Sequence, residues 1–187
     1  MKKMLIIGGK LALIGAVAAV ALALINNITA PRIQKQKDEA LANALSEVAE
    51  NGVAGEFMEN KIGKMTGYYP IMNDNQISGY ILRLTGDGYG GDLSILASYD
   101  TRGMVYKVKL MENQETPGLG KEAEKPEYMT VFENTGIDIP VPVWKSDLTE
   151  EQVDAITGAS VTYYGVSQTV KEGSDLVKNG LEASNAF

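Results

Sequence analysis

Residues 154–166 read DAITGASVTYYGV and set the hydroxyls of Thr157, Ser160, Thr162 and Tyr163 around Gly158 and Ala159. Hydroxyls matter here because the usual reactive side chains are missing. The chain has no cysteine and no histidine in 187 residues. That removes thiolate ligands for iron–sulfur clusters, haem attachment, histidine-based zinc sites and Cys or His catalysis. A carboxylate-only calcium site would survive this exclusion, but no EF-hand spacing is present, and no metal site is expected. Redox work by this chain would need an organic cofactor. A hydroxyl at the start of a helix can do two things. It can cap a backbone N–H, or it can hold a phosphate, by hydrogen bond or as an ester, where the helix end stabilises the negative charge. Gly158 breaks the preceding helical pattern, and Thr157 or Ser160 then stands where a cap would. Capping alone is the simpler reading. No Gly-x-x-x-x-Gly-Lys-[Ser/Thr] occurs, so a nucleotide P-loop is not supported.

Two further stretches bear on the choice. GDGYGGDL (86–93) gathers four glycines around Tyr89. It reads as an ordinary glycine-rich hairpin, or as a loop where backbone at Gly90 and Gly91 passes close to a flat ligand with Tyr89 available to stack. In ETPGLG (115–120), Pro117 fixes φ and Gly118 supplies the positive φ of a type II turn. It is a plain turn leaving a strand, or Thr116 and the bare backbone from Gly118 through Leu119 to Gly120 line a ligand.

The elements that must position these stretches follow from periodicity. Leu41, Leu45 and Val48 recur at helical spacing in QKQKDEALANALSEVAENG, which Gly52 ends. From Gly67 the period changes. GYYPIM, ISGYILRLTG, LSILASYD and MVYKVKLME are short β-rich runs separated by turn residues, which predicts a four-stranded antiparallel meander. EYMTVFENTG suggests a short helix, and SDLTEEQVDAI a helix capped by Ser146 or Asp147. The last helix presents Val166, Val170, Gly173 and Val177 along one face. The fold class is α+β, an antiparallel sheet with packed helices.

Ahead of this domain, LALIGAVAAVALALI (11–25) carries no charge, and with the preceding residues it is long enough to cross a bilayer as a helix. The alternative is a cleaved signal peptide, with Lys2 and Lys3 leading it and ITA as the small-residue site. Pro31 makes a poor cleavage junction, and the polar helical pattern continues directly from the apolar run, so one retained transmembrane anchor is expected. Charge divides the chain. Residues 1–37 hold six basic residues and no acid; residues 38–187 hold 11 basic against 24 acidic, a net of −13. An acidic domain repels phosphate backbones, so no nucleic-acid partner is expected. Lys2, Lys3 and Lys10 before the span favour an inside N-terminus and an outward-facing domain.

Taken in order, the anchor with NNITAPRI, then GYGG, ETPGLG and DAITGASVT, make the sequence resemble the FMN-binding-domain family over nearly the whole chain. Within that family it looks like the G-subunit family of the Rnf electron-transport complex, a relative of the C subunit of the sodium-translocating NADH:quinone reductase. The flavinylation pattern of the family, Asp-x-x-(Ser/Thr)-Gly-Ala-(Ser/Thr), is matched by Asp154, Thr157, Gly158, Ala159 and Ser160. The resemblance implies covalent FMN in a phosphoester bond to the last hydroxyl of that pattern, here Ser160, installed by a flavin transferase with FAD as donor. Many family members have threonine at this place, which keeps Thr162 as a competitor. It further implies FMN contacts from Thr157, Gly158, Ala159, Thr116, Gly118, Leu119, Gly120, Tyr89, Gly90 and Gly91. The organisation it implies is a cytoplasmic N-terminus, anchor and start of a stalk (1–37) and an extracytoplasmic FMN-binding domain (38–187) on a prokaryotic cytoplasmic membrane. The implied role is an electron-carrier subunit among the other membrane subunits of an ion-translocating ferredoxin:NAD oxidoreductase. Two other readings are a stand-alone anchored flavoprotein of another electron-transfer chain and a cofactor-free anchored adhesin or pilin-like module.

Overall fold

The structure is a computed structural model that describes residues 2–50 and 52–181. The chain divides into two compact units, Met1–Ala42 and Asn43–Phe187. The first is almost entirely helix α1 (Lys2–Val48, 47 residues). Its apolar stretch is long and apolar enough to cross a membrane. Leu11, Ile14, Val17, Val20, Leu22 and Ile25 are all exposed on it, a surface suited to lipid and costly in water. Pro31 sits inside this helix without a backbone donor to give. Two residues before that weak point, the Thr29 hydroxyl donates to the Ile25 carbonyl at 2.9 Å. Beyond it the surface becomes polar, with Gln34 donating to Asp38 at 2.8 Å and Lys35 pairing with Glu39 at 3.7 Å, both one turn apart.

The second unit begins on the last turns of α1, where Ala44 and Val48 are buried. The helix stops at Val48, and Glu50 takes a left-handed conformation at φ 53°. A six-stranded, wholly antiparallel sheet follows. Its strands are β1 (Val53–Ala54), β2 (Met58–Ile62), β3 (Met65–Asn73), β4 (Gln76–Asp87), β5 (Asp92–Asp100) and β6 (Val105–Glu112). The expected meander is β3–β4–β5–β6. To its outer edge at β3 the fold adds the short β1 and β2, which the sequence reading did not foresee. Met58-Glu59-Asn60-Lys61-Ile62 is polar and lies on a sheet edge, so it lacks the alternation that marks a half-buried strand.

After β6 the chain passes through a 3-10 turn (Gly120–Glu124), the short helix α2 (Pro126–Met129) and a second 3-10 turn (Thr130–Phe132). Helix α3 (Glu150–Ala155) and the 19-residue helix α4 (Ser160–Lys178) complete it. The cap of α3 differs from the expectation. Thr149, not Ser146 or Asp147, is the cap, in a reciprocal box with Gln152: the Gln152 N–H donates to Thr149 Oγ1 at 3.3 Å, and the Thr149 N–H donates to Gln152 Oε1 at 3.0 Å. Asp147 is engaged instead by the N–H groups of Val143 and Trp144, at 3.1 and 2.9 Å.

Helix α4 lies against β4 and β5. The expected stripe is its core face: Val166, Val170, Gly173 and Val177 are buried. Each valine withdrawn from water there contributes on the order of 2 kcal/mol. They pack on Leu82, Leu84, Ile95, Ala97 and Tyr99 of the sheet. Two glycines let helix and sheet approach. A Cβ at Gly173 would run into the Tyr99 ring and hydroxyl, and one at Gly165 into the Asp87 carbonyl. Tyr99 lies over the first gap and donates its hydroxyl to the Val170 carbonyl at 2.9 Å.

Candidate functional site

The N-terminal end of α4 is where the hydroxyls gather, and the fold treats them differently. Gly158 turns the chain with φ 89°, Ala159 becomes the N-cap residue, and Ser160 is the first residue of the helix. Neither Thr157 nor Ser160 caps α4, contrary to the expectation; its N-cap makes no side-chain hydrogen bond. Thr157 turns back into the preceding turn and donates its hydroxyl to the Val153 carbonyl at 2.9 Å. Thr162 is buried and donates to the Glu115 carboxylate at 3.0 Å. Tyr163 is buried and donates to the Pro142 carbonyl at 2.6 Å. Ser160 alone of the four presents an exposed hydroxyl that holds no protein partner among the described residues. A free hydroxyl thus stands at a helix N-terminus whose first N–H groups have no side-chain acceptor. That combination suits an anionic phosphate, through the orphan donors and the positive end of the helix.

Glu115 brings the three glycine- and hydroxyl-rich stretches together. It is 3% exposed. One carboxylate oxygen accepts the Gly90 N–H at 3.1 Å, and the other accepts the Thr162 hydroxyl. The loop after β4, the turn after β6 and the start of α4 therefore meet on one buried carboxylate. Gly120 is part of this knot: a Cβ there would collide with the Glu115 carboxylate and lie 2.8 Å from Thr162 Oγ1. Its missing side chain makes room for protein, not for an open face. Gly90 likewise presses on the Gln114 backbone, and the Gly88 N–H closes its loop on the Gly91 carbonyl at 2.9 Å. Gly118 behaves as expected, with φ 76° in a turn open to solvent. Thr116, Leu119 and Tyr89 are exposed around this knot, Tyr89 most of all at 75%. Asp154 is exposed on α3.

A second anchor holds the same turn from below. Tyr128, fully buried, donates its hydroxyl to the Ala159 carbonyl at 2.8 Å, immediately before Ser160. Burial pushes the Tyr128 hydroxyl well above the ordinary tyrosine range, and the neighbouring Tyr163 and Glu115 add to this. Tyr163 is raised by its burial and then by Asp147. Both stay protonated donors at neutral pH. Glu115 and Tyr128 were not foreseen as site residues. A glutamate beginning a turn motif and a tyrosine in a short helix carry no sequence signal of a contact 47 or 31 residues away.

A family profile described as FMN-binding domain matches residues 88–175, which include ETPGLG, DAITGASVT and all but the first two residues of GDGYGGDL. A second, described as the RnfG N-terminal region, matches residues 1–48. Residues 88–175 of the chain thus match the FMN-binding-domain family. Its curated relatives are named as the G subunits of ion-translocating complexes. The G subunit of the proton-translocating ferredoxin:NAD(+) oxidoreductase complex of Clostridium ljungdahlii is 28% identical over 161 residues, 86% of this chain and 84% of that protein. The G subunit of the Na(+)-translocating ferredoxin:NAD(+) oxidoreductase complex of Acetobacterium woodii is 26% identical over 183 residues, 89% of this chain and 87% of the relative. The G subunit of the ion-translocating oxidoreductase complex of Haemophilus influenzae is 30% identical over 125 residues, 65% of this chain and 60% of the relative. The match for the FMN-binding domain begins at residue 88, inside the β4–β5 loop, so strands β1 to β4 lie outside the matched residues and β5, β6 and most of α4 within them. With α1 ahead of it, the FMN-binding domain is membrane-anchored by a single span.

Proposed function

We propose that this FMN-binding domain holds its flavin covalently, through a phosphoester to Ser160, and serves as an electron-carrier subunit of an ion-translocating ferredoxin:NAD oxidoreductase of the Rnf type. Ser160 itself carries the reading. Its hydroxyl is exposed at the first position of α4, where no side chain caps the helix, while Thr162 is buried on Glu115 and Thr157 is bonded to Val153. The competitor Thr162 would have to break a buried hydrogen bond before reacting, and Glu115 would lose a partner in the process. When bound, the flavin supplies one-electron acceptance and donation; the chain supplies position and tuning.

The Ser160 hydroxyl would accept the FMN group of FAD on a flavin transferase, an O–P bond replacing the bond to AMP, with AMP and the hydroxyl proton released. The α4 N–H groups, which no side chain caps, would hold the phosphate of the ester. Glu115 and Tyr128 keep the turn still, from Thr162 on one side and Ala159 on the other. The domain faces out of the cytoplasm in this reading, where a dissociable flavin would be lost and an esterified one is retained.

The test is flavin fluorescence retained by the denatured chain after co-expression with the transferase. Ser160→Ala should be dark, Ser160→Thr should stay bright, and Thr162→Ala should stay bright. A bright Ser160→Ala protein would assign the ester elsewhere.

A further inference from the structure

Trp144 and Tyr164 form an exposed aromatic pair beside α4. Their rings lie 5.0 Å apart, tilted by 37°, yet Trp144 is 58% and Tyr164 43% exposed. An exposed aromatic is ordinary by itself. This one is held in place. The Trp144 and Val143 N–H groups donate to the Asp147 carboxylate at 2.9 and 3.1 Å. Ser167 on α4 donates to the Val143 carbonyl at 3.2 Å, and Tyr163 donates to the Pro142 carbonyl. The strip 142–144 is therefore laid along α4 with its backbone pinned, and the indole is left facing solvent. Rigid aromatic area kept accessible is what a preorganised binding surface requires.

Its position says what it is for. Tyr164 is four residues after Ser160 on the same helix, so the two share a face about 6 Å apart along the axis. We infer that the Trp144–Tyr164 pair is the platform on which the isoalloxazine ring of the flavin tethered at Ser160 rests. This rests on the Ser160 reading. A ribityl chain of five carbons between phosphate and ring spans one helical turn. The ring is flat, largely apolar and π-rich, the class of ligand that stacks on indole and phenol faces. Stacking of flat heterocycles on aromatic side chains shifts the docked-to-free ratio by roughly tenfold or more per ring. An electron-rich indole in contact also quenches flavin emission, so the platform has an optical signature.

The experiment uses the full chain co-expressed with the transferase and purified in detergent, as wild type, Trp144→Leu, Tyr164→Leu and Trp144→Phe. Covalent flavin per chain is read on the denatured protein. Emission per bound flavin and visible-region circular dichroism of the flavin are read on the native protein. The native signals are compared per bound flavin, so a change in loading does not enter them. Native emission should rise severalfold toward the denatured value in both leucine variants, with loss of the flavin dichroism; Trp144→Phe, which keeps a flat ring but not the electron-rich indole, should retain most of the dichroism while its emission stays raised. Flavin on Ser160 with emission and dichroism unchanged in the leucine variants would overturn the platform and leave the Ser160 assignment standing. Absence of flavin from Ser160 in the wild type would overturn both.

Discussion

Glu115 is a buried carboxylate whose two oxygens each receive a hydrogen bond, from the Gly90 N–H and the Thr162 hydroxyl. Glu115→Ala would leave both donors without an acceptor, and each such loss costs about 1–3 kcal/mol. A thermal melt of the full chain in detergent should show a large drop in midpoint for Glu115→Ala and a smaller one for Glu115→Gln, which keeps one amide oxygen as acceptor. Equal melts for the alanine variant and the wild type would mean that the knot contributes nothing. Tyr128→Phe should cost only about 1 kcal/mol, because the Ala159 carbonyl still accepts the Tyr163 N–H at 2.8 Å. At this scale the sequence offered Ser160, the pattern's last hydroxyl, as the candidate and was silent about what separates it from Thr162. Both are hydroxyls two positions apart, and only the helix phase, one outward and one inward onto Glu115, tells them apart.

Helix α4 is the element that turns the sheet into a site, and its contact with β4 depends on an absent side chain. A Cβ at Gly165 would overlap the Asp87 backbone carbonyl, which has no flexible end to move aside. Alanine is the better helix former by about 1 kcal/mol, yet Gly165→Ala should destabilise, by about 1–3 kcal/mol, because overpacking of a well-packed contact outweighs propensity. A urea titration would decide it, and a stabilised variant would contradict the packing described. The meander and the valine stripe of α4 were legible because alternation and helical spacing both mark a buried face. The caps were not. Ser146, Asp147 and Thr149 are all acceptable cap residues, and only the reciprocal bonds with Gln152 select Thr149. Likewise Ser160 became the first helical residue because Gly158 takes a positive φ and leaves Ala159 at the cap. The edge strands β1 and β2 escaped notice because neither has a buried face to write into the sequence.

Across the whole molecule, Tyr99, Tyr128 and Tyr163 are buried donors to backbone carbonyls, of Val170, Ala159 and Pro142. Burial raises all three hydroxyls above the ordinary tyrosine range. The unfolded chain therefore releases these protons from about pH 10 while the folded chain keeps them. Stability is at its full value below that pH and falls above it, by up to about 1.4 kcal/mol per pH unit for each tyrosine. Denaturation midpoints measured from about pH 8 to about pH 11 should be flat and then decline; a rise on the alkaline side would contradict the sign. The apolar stretch of α1 predicts that the chain stays with membranes through an alkaline wash, and recovery of a soluble form beginning near Pro31 would contradict that. Protease added to intact spheroplasts should digest the domain if it faces outward, and protection beside a cleaved external control would reverse the orientation. The FMN-binding assignment disfavours a cofactor-free adhesin, and co-purification with integral partner subunits separates a complex subunit from a stand-alone flavoprotein. The central claim is the ester at Ser160, and peptide mass mapping of the protein from membranes containing the flavin transferase reaches it most directly. The account predicts the mass of FMN less water on the peptide spanning DAITGASVTYYGV, with fragmentation assigning it to Ser160; the same mass on Thr162, or an unmodified peptide, would contradict it.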